Sequence, residues 1–324
     1  MHINPTEDWS WTYYRDLAYS LSLGLTLQEY FLQAFGKPED PAAGGRQMPG
    51  HYGHLKLNMP TQSSPTGTQY LNAVGTAIAS KKLNDKAIVY VSSGEGTTSQ
   101  GEFYEAVNWA TRDKLPVLFH IQDNGYAISV SREFQSMGAD VTHSFSAYEN
   151  LLMLTFDGSD FLASYYAAMR AEEYLRQGNG PVLLHSLVER LLPHSSSDDQ
   201  KKYRPKEELE RGRLYKDPII NLENYLLKHQ ILDNSQVSDI KEEIRKEIEK
   251  AAEWALSRPN ADPKESTACV FAPLETRDLP YSEYTPQDTD HKIVMVDAIN
   301  HALKEEMQRN PKMLIYGEDV ADPK

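Results

Sequence analysis

Two short motifs in the region 88–129 place an oxygen-bearing side chain beside a glycine. GEG at 94–96 ends one β-rich run, and DNG at 123–125 ends the next. In a parallel sheet, adjacent strand ends with a helix N-terminus between them form a pocket suited to a metal-bound phosphate. Mg²⁺ prefers hard oxygen ligands and commonly takes one or two side chains together with phosphate oxygens and water. Glu95, the Asn124 side-chain oxygen and one backbone carbonyl would meet this need, although each motif taken singly is also typical of an ordinary turn.

The run GEGTTS at 94–99 also nearly matches the GxGxxG fingerprint of dinucleotide-binding folds. Its last position is Ser99 rather than Gly or Ala, and Glu95 inside the turn would repel a pyrophosphate unless a cation lay between them. Asp123 follows Gly96 by 27 residues, somewhat later than a ribose-binding acid usually does. A nicotinamide-linked oxidoreductase is therefore an alternative, whereas Glu95 fits the site if Mg²⁺ bridges it to a diphosphate.

Composition excludes several classes of function. The 324-residue chain is 40% apolar and 25% charged, which is typical of a globular protein. Its formal charge of −14 argues against nucleic-acid binding, which needs clustered Lys and Arg. No apolar run approaches the roughly 18 residues of a membrane span, and the N-terminus lacks the features of a signal peptide, so we expect no membrane partner and a cytoplasmic location. Cys269 is the single cysteine, which excludes an internal disulfide and a cysteine-based metal cluster.

The order of the predicted elements indicates an α/β fold. We expect helices over 11–23 and from Thr26 to about Gly36, because Thr26-x-x-Glu29 is a capping-box signature. The Gly- and Pro-rich region 38–67 is predicted to be an ordered but irregular loop. Strands and helices then alternate, which predicts a doubly wound parallel sheet: strands over 87–92, 116–122, 151–156 and 181–188, and helices over 72–80, 100–112 and 160–177.

The last third of the chain has a different character. Past Arg190 a polar loop precedes helices predicted over 206–214, 217–229 and 235–257, the last of which should lie on a surface. Five prolines and many polar residues mark 258–292 as a linker. The final segment is predicted to contain one helix and one strand that ends at Gly317, and such a pair cannot bury its own faces. We therefore expect a main domain, a linker and the truncated start of a further domain, at 1–257, 258–292 and 293–324.

The two glycine motifs resemble the thiamine-diphosphate signature of the alpha chain of 2-oxoacid dehydrogenases. That signature reads GDG or GEG and then, at this spacing of 26 residues, NN, where this chain has DN in DNGYAIS. The glutamate of the first motif is similar to the branched-chain (2-oxoisovalerate) members. Residues 293–324 resemble the start of the beta chain, which implies an alpha region fused to a beta region and truncated at both ends. The resemblance covers about 8–257, with further family motifs in the same order: YYRD (13–16), GGRQMPGHYG (44–53), SSPTGTQ (63–69), EFYEAVNWA (102–110) and RLLPHSSSDD (190–199).

The resemblance implies a role for each residue that matches a family motif. Mg²⁺ is expected on oxygens of Glu95, Asn124 and the Tyr126 carbonyl. His194 would approach the diphosphate as a catalytic residue and pass a proton during acyl transfer. Arg15 would contact the diphosphate, and the other expected cofactor-binding residues are Tyr14, Ser64, Thr66, Gly96 and Thr97. Some relatives hold a monovalent cation such as K⁺ at positions that correspond to Ser63, Pro65, Thr68 and Gln69.

Three positions depart from the family pattern. Asp123 replaces the usual first Asn and brings an additional negative charge near the cation. Gln122 stands where branched-chain relatives can carry an arginine for the diphosphate, and Leu192-Pro193 stand where some relatives have Gly-His before the motif histidine. Outside these positions, His51 and His54 are spaced i, i+3 but have no third metal ligand nearby. We interpret them as structural loop histidines.

The implied activity is oxidative decarboxylation of a branched-chain 2-oxoacid, 3-methyl-2-oxobutanoate, with acyl transfer to the lipoyl group of a partner acyltransferase. In this family a glutamate of the beta chain activates the aminopyrimidine, so a beta-type region, fused or separate, is expected to complete the active site. A dimer or a heterotetramer-like assembly on an acyltransferase core is implied, and the isolated chain is expected to be inactive. Pyruvate or acetoin as substrate, and a non-catalytic fragment that supplies half of a cofactor-binding interface, are the alternatives.

Overall fold

The computed structural model describes residues 3–268, 270–271, 292–317 and 320. The chain divides into two compact units, Met1–Pro263 and Lys264–Lys324. Cys269 and most of the predicted linker lie outside the described residues. Within the described ranges, no helix is long and apolar enough to cross a membrane.

The first unit has the predicted α/β fold. Its strands are β1 (Trp9–Trp11), β2 (Val89–Gly94), β3 (Val117–Asp123), β4 (Tyr126–Ala127), β5 (Val130–Ser131), β6 (Leu152–Asp157) and β7 (Val182–Leu187). Its helices are α1 (Leu17–Leu23), α2 (Leu27–Ala34), α3 (Thr68–Lys82), α4 (Gly101–Arg112), α5 (Phe161–Arg176), α6 (Lys206–Tyr215), α7 (Pro218–Lys228) and α8 (Asn234–Ser257). Among these described residues, five parallel strands form one sheet in the order β1-β2-β3-β7-β6, and β4 and β5 form a separate antiparallel hairpin.

Alternate strand residues enter two hydrophobic cores, one on each face of the sheet. Val89 and Val91 of β2 pack in the core that includes α3 and α4, whereas Tyr90 between them packs in the core that includes α5. In β3, Phe119 and its neighbour Leu118 divide in the same way. Strands that are buried on both faces read as continuous apolar runs, which is why the sequence pattern predicted them. The doubly wound arrangement is confirmed.

The register of the central strands brings the two glycine motifs side by side. Gly94, the last residue of β2, lies opposite Gln122 of β3, and Asp123 lies opposite Leu187 of β7. Both pairings are parallel, so the carboxyl ends of the three strands meet at one edge of the sheet. This edge is where parallel α/β folds bind ligands.

The helix predicted over 11–23 is wrong in its first half. Trp9–Trp11 form the edge strand β1, which pairs with β2, and α1 begins only at Leu17. Between them the chain turns, and the buried Asp16 carboxylate accepts a hydrogen bond from Tyr13 N at 3.0 Å. The strand depends on a partner that is far away in the sequence, and local periodicity cannot reveal such a pairing.

Other element predictions are confirmed in part. The capping box of α2 forms, since Thr26 Oγ1 accepts from Glu29 N at 3.2 Å and Glu29 Oε2 accepts from Thr26 N at 2.9 Å. Helix α3 is longer than the predicted 72–80. In the second unit, α9 (Met295–Arg309) matches the predicted helix. The strand predicted before Gly317 is absent, because no strand in the described part of that unit is available to pair with residues 313–316.

The irregular loop over 38–67 is anchored by the buried side chain of Gln33. Its Nε2 donates to His51 O at 2.8 Å, and its Oε1 accepts from Gly50 N at 2.9 Å. Gln33 belongs to α2, so this helix fixes the part of the loop that carries His51.

A neutral, partly buried histidine lies within the sheet. His120 of β3 contacts Tyr90 Oη through Nδ1 at 3.0 Å and Ser186 Oγ through Nε2 at 2.9 Å. Because Ser186 Oγ donates its own proton to Ile121 O at 3.2 Å, Nε2 of His120 is the donor and Nδ1 the acceptor. Burial lowers the pKa of His120 to about 4.

We predict that His120 makes the fold sensitive to mild acid. Between the ordinary pKa of 6.5 and the folded value of about 4, the unfolded chain binds more protons than the folded one. The free energy of unfolding should therefore fall as the pH is lowered through this window. In His120→Gln this decrease should be smaller than in wild type by up to roughly 3 kcal/mol. Urea titrations at several pH values measure it, with His229→Gln at an exposed position as the control. Equal pH dependence in wild type and His120→Gln would contradict the prediction.

Candidate active site

A cleft of about 400 Å³ opens at the carboxyl edge of β2 and β3. It brings together predicted cofactor-binding residues from separate parts of the sequence, namely Tyr14, Arg15, Ser64, Thr66, Gly96, Thr97, Tyr126 and His194. Glu95 and Asn124 are buried beside it, where each follows the end of its strand. The structure therefore gathers the expected site into one place.

Glu95 is the buried acid at the end of β2. Its Oε2 accepts a hydrogen bond from Asn124 N at 3.2 Å, while its Oε1 is buried with no hydrogen-bond partner among the described residues. Burial raises the pKa of Glu95 above its ordinary value, the charge of Asp123 adds to this effect, and Arg15 opposes it. A buried carboxylate oxygen without a donor is costly, and a bound cation would supply the missing partner. The residues present therefore fit the predicted Mg²⁺.

A tight loop places Asn124 and Tyr126 next to Glu95. Asn124 Oδ1 accepts from Tyr126 N at 3.0 Å, and Gly125 between them has a φ of 81°, in the left-handed region that glycine favours. The loop continues into the β4–β5 hairpin, which the sequence analysis did not predict. The Asn124 side chain is thus held against the backbone of Tyr126.

Other side chains closely approach both glycines of the first motif. A Cβ on Gly94 would lie 2.7 Å from Arg15 Nη1, and a Cβ on Gly96 would lie 2.6 Å from the Cβ of Ala127. The first glycine thus admits the guanidinium to the strand end, and the second admits the hairpin. Each glycine therefore allows a part of the site to pack closely, in addition to forming the turn.

Arg15 reaches the cleft from the turn before α1. Its Nη1 donates to Gln122 O at 2.6 Å, and its guanidinium lies 5.7 and 5.6 Å from the ring centroids of Tyr13 and Tyr14. The Gln122 side chain donates instead to Asp16 Oδ1 at 2.5 Å and does not line the cleft. Arg15 is therefore the cation that a diphosphate would meet on this side of the cleft.

His194 lines the cleft from the exposed loop 190–199. Its backbone N–H donates to Asp198 Oδ2 at 2.9 Å, and its ring meets that of Tyr14 edge-on at 6.3 Å. Arg190 ties the loop to the hairpin by donating to Ile128 O at 2.7 Å. Partial burial and the charge of Arg190 lower the pKa of His194 below its ordinary value. A neutral imidazole is thereby favoured near pH 7, where it can accept and return a proton.

His51 is a cleft residue that the sequence analysis interpreted only as structural. Its Nδ1 contacts Met48 O at 2.9 Å, which fixes the proton there, so Nε2 accepts a hydrogen bond from Ser64 Oγ at 2.8 Å. His54 fits the structural interpretation, because it contacts Glu29 Oε1 at 3.3 Å and does not line the cleft. The signal for His51 was its place inside the family motif at 44–53.

The four residues of the predicted monovalent-cation site lie at the start of α3. Thr68 Oγ1 donates to Pro65 O at 3.1 Å. Gln69 is buried, accepts from Gly67 N at 2.9 Å and donates to Ser92 O at 3.2 Å. Ser63 is partly buried beside them in the sequence. The K⁺ site stays a prediction.

Asp123 does not line the cleft, although its neighbour Asn124 belongs to the site. Its carboxylate is fully buried and contacts His185 and Arg132. A ribose-binding acid must face its ligand, so this burial disfavours the dinucleotide alternative. Within the described residues there is also no cluster of three or more His, Cys, Asp or Glu side chains that could hold a metal. A site made of one carboxylate, one amide oxygen and one carbonyl differs from such a cluster.

Comparisons with known proteins agree with the geometry. A sequence model described as "Dehydrogenase E1 component" matches residues 1–264. The chain is similar to the 2-oxoisovalerate dehydrogenase subunit alpha of Bacillus subtilis (strain 168), with 36% identity over 265 residues, 82% of this chain and 80% of the relative.

Two mitochondrial relatives show the same similarity. The 2-oxoisovalerate dehydrogenase subunit alpha of Macaca fascicularis is 32% identical over 77% of this chain and 56% of its own length. Subunit alpha 2 of Arabidopsis thaliana is 35% identical over 76% of this chain and 52% of its own length. The chain thus spans about half the length of these two relatives. Motifs, fold, cleft and comparisons together show that the chain belongs to the dehydrogenase E1 component family.

Proposed function

We propose that this chain is the alpha-type part of a branched-chain 2-oxoacid dehydrogenase, which decarboxylates 3-methyl-2-oxobutanoate and passes the acyl group to a lipoyl group. The observation that carries the proposal is the pairing of Glu95 and Asn124 at adjacent strand ends, with Glu95 Oε1 left for a cation. The names of the three relatives, all 2-oxoisovalerate dehydrogenase alpha subunits, support the substrate class. The family uses thiamine diphosphate, and its diphosphate suits a metal and an arginine at one strand edge.

The metal-binding residues have a consistent set of roles in this proposal. Glu95, the Asn124 side-chain oxygen and the Tyr126 carbonyl would hold Mg²⁺, and phosphate oxygens and water would be its other ligands. Arg15 would bind the diphosphate beside it. A cation next to Glu95 would lower the pKa of this carboxyl and so counteract the effect of burial. The acid would therefore stay ionised when the site is filled.

When bound, thiamine diphosphate supplies the nucleophilic carbon and the electron sink that decarboxylation needs. The side chains of this protein orient reactants and move protons. His194, whose pKa is lowered by burial and Arg190, can accept a proton and return it during acyl transfer. Ser64 and His51 form a second polar pair in the cleft with fixed proton positions.

Partners complete the proposed active site. Among the described residues that line the cleft, none is an aspartate or a glutamate. The acid that activates the aminopyrimidine in this family comes from the beta chain, so we include a beta-type region, fused or separate, in the proposal. A lipoyl acyltransferase core would then receive the acyl group, and K⁺ at Ser63, Pro65, Thr68 and Gln69 would support the adjoining loop.

Glu95→Gln should abolish Mg²⁺-dependent binding of thiamine diphosphate without destabilising the fold. The buried Glu95 carboxyl has a raised pKa and one unpartnered oxygen, so a neutral amide at this position removes an unfavourable charge while losing the metal ligand. Calorimetry with Mg²⁺ and thiamine diphosphate measures the first effect, and thermal unfolding measures the second. Unchanged cofactor affinity would refute the metal-ligand role.

Gly94→Ala should weaken thiamine-diphosphate binding by roughly ten- to a hundredfold, as expected for the loss of a charged hydrogen bond. Its Cβ would lie 2.7 Å from Arg15 Nη1 and displace the guanidinium from the strand end. Gly75→Ala in α3, whose Cβ meets nothing within 4 Å, is the matched control and should leave the affinity unchanged. Equal affinities for the two variants would contradict the role of Arg15.

Turnover should require the beta-type partner and should favour the branched substrate. We expect no decarboxylation above background by the full 324-residue chain alone. After addition of a beta-type partner, 3-methyl-2-oxobutanoate should react faster than pyruvate or acetoin, as measured by reduction of an artificial electron acceptor. Full activity of the chain alone would contradict the shared active site. Preference for pyruvate or acetoin would contradict the substrate assignment alone.

A further inference from the structure

Asp123, the residue that departs from the family pattern, has every carboxylate oxygen occupied by the protein itself. Its Oδ2 accepts from His185 Nε2 at 2.8 Å and from Arg132 Nη1 at 3.0 Å, and its Oδ1 accepts from Gly125 N at 2.8 Å. The Asp123 side chain has no exposure to solvent. Glu95 differs in this respect, since one of its oxygens has no partner in the described part of the chain. Asp123 is therefore placed to hold protein groups rather than a cation.

A second acid, Asp140, lies on the other side of the His185 ring. His185 is buried in β7, and its Nδ1 lies 3.5 Å from Asp140 Oδ1 on the far side of the ring from Asp123. Asp140 in turn accepts from Thr142 N at 2.8 Å and caps the short 3-10 turn Val141–Phe145. The imidazole thus lies between the end of β3 and the segment that follows the hairpin, and it is hydrogen-bonded to Asp123 alone of the two acids.

Arg132 closes the network around the loop. Its backbone N–H donates to Gly125 O at 3.0 Å, while its side chain contacts Asp123. Asp123 O also accepts from Val188 N at 2.8 Å, at the end of β7. The backbone of Gly125 is therefore held at its N–H by Asp123 and at its carbonyl by Arg132. Both contacts act on the residue that links Asn124 to Tyr126.

We propose that Asp123 and His185 are positioning residues: their buried contact, supported by Arg132, fixes the backbone from Asn124 to Tyr126 in the conformation that binds Mg²⁺. Asp123 is not a metal ligand itself. This inference rests on the proposed Mg²⁺–thiamine diphosphate function of the site. It also explains how the chain accommodates a buried acid at the departing position, because Arg132 and His185 supply partners for the Asp123 carboxylate.

Cofactor affinity of three variants of the full chain tests the proposal. Asp123→Ala, His185→Ala and the double variant are titrated with thiamine diphosphate at saturating Mg²⁺. Each single variant should bind at least about tenfold more weakly, which is the usual effect of losing a group that orients a metal ligand. The double variant should be weaker than the worse single variant by no more than about threefold, because both side chains act through one contact. Asp123→Asn keeps an acceptor for His185 and should recover most of the affinity.

Asp8→Ala is the matched control. Asp8 is equally buried and contacts Arg176 Nη2 at 2.6 Å and Ile88 N at 2.7 Å, at the opposite end of β2. It should lower the melting temperature and leave cofactor affinity within about twofold of wild type, since distant sites act independently. Wild-type affinity in His185→Ala, or equal weakening in Asp8→Ala, would overturn the proposal.

Hydrogen exchange separates this proposal from the proposed function. Without cofactor, the amides of Gly125 and Tyr126 should exchange faster in Asp123→Ala and His185→Ala than in wild type, and at the wild-type rate in Asp8→Ala. Unchanged exchange in the first two variants would overturn the positioning role. If wild type binds no thiamine diphosphate even with its beta-type partner, the proposed function fails, whereas the exchange result still decides whether Asp123 and His185 fix the loop.

Discussion

Two carboxylates, Glu95 and Asp123, are buried at one edge of the sheet because the parallel register of β2 and β3 ends both strands there. Ionised groups in such surroundings need partners, and the two acids obtain them differently. Burial would raise the pKa of Asp123, but the hydrogen bonds from His185 and Gly125 N and the charge of Arg132 outweigh it and lower that pKa. Burial raises the pKa of Glu95. Asp123 therefore binds other groups of the protein, whereas Glu95 has an oxygen that can bind a cation. The remaining features of the cleft depend on this difference.

The cleft at the carboxyl edge of β2 and β3 contains features that are locally destabilising. Gly94 and Gly96 lack the side chains that would exclude Arg15 and the hairpin, and a buried acid has an oxygen without a donor. Unsatisfied buried groups of this kind concentrate at functional sites. The two apolar cores on either face of the sheet hold the strand ends in register and so tolerate these local costs.

Much of the fold and part of the site could be predicted from the sequence. Strands buried on both faces appear in the sequence as continuous apolar runs. The motifs GEG and DNG indicated Glu95 and Asn124 because the ends of parallel strands meet at one edge of the sheet. What was missed depends on contacts between distant residues. The edge strand at Trp9–Trp11 needs β2 as its partner, and the role of His185 is visible only once β7 lies beside Asp123. His51 was undervalued because nothing local shows that Gln33 directs its loop toward Ser64.

The most direct test of the central claim is the position of the metal. A crystal of this chain with its beta-type partner, grown with Mn²⁺ in place of Mg²⁺ and with thiamine diphosphate, would locate the ion by its anomalous scattering. We expect one peak at bonding distance from a Glu95 carboxylate oxygen and the Asn124 side-chain oxygen, about 2.0–2.3 Å from each, with Asp123 still in contact with His185. A peak bonded to Asp123, or no peak beside Glu95, would contradict the account.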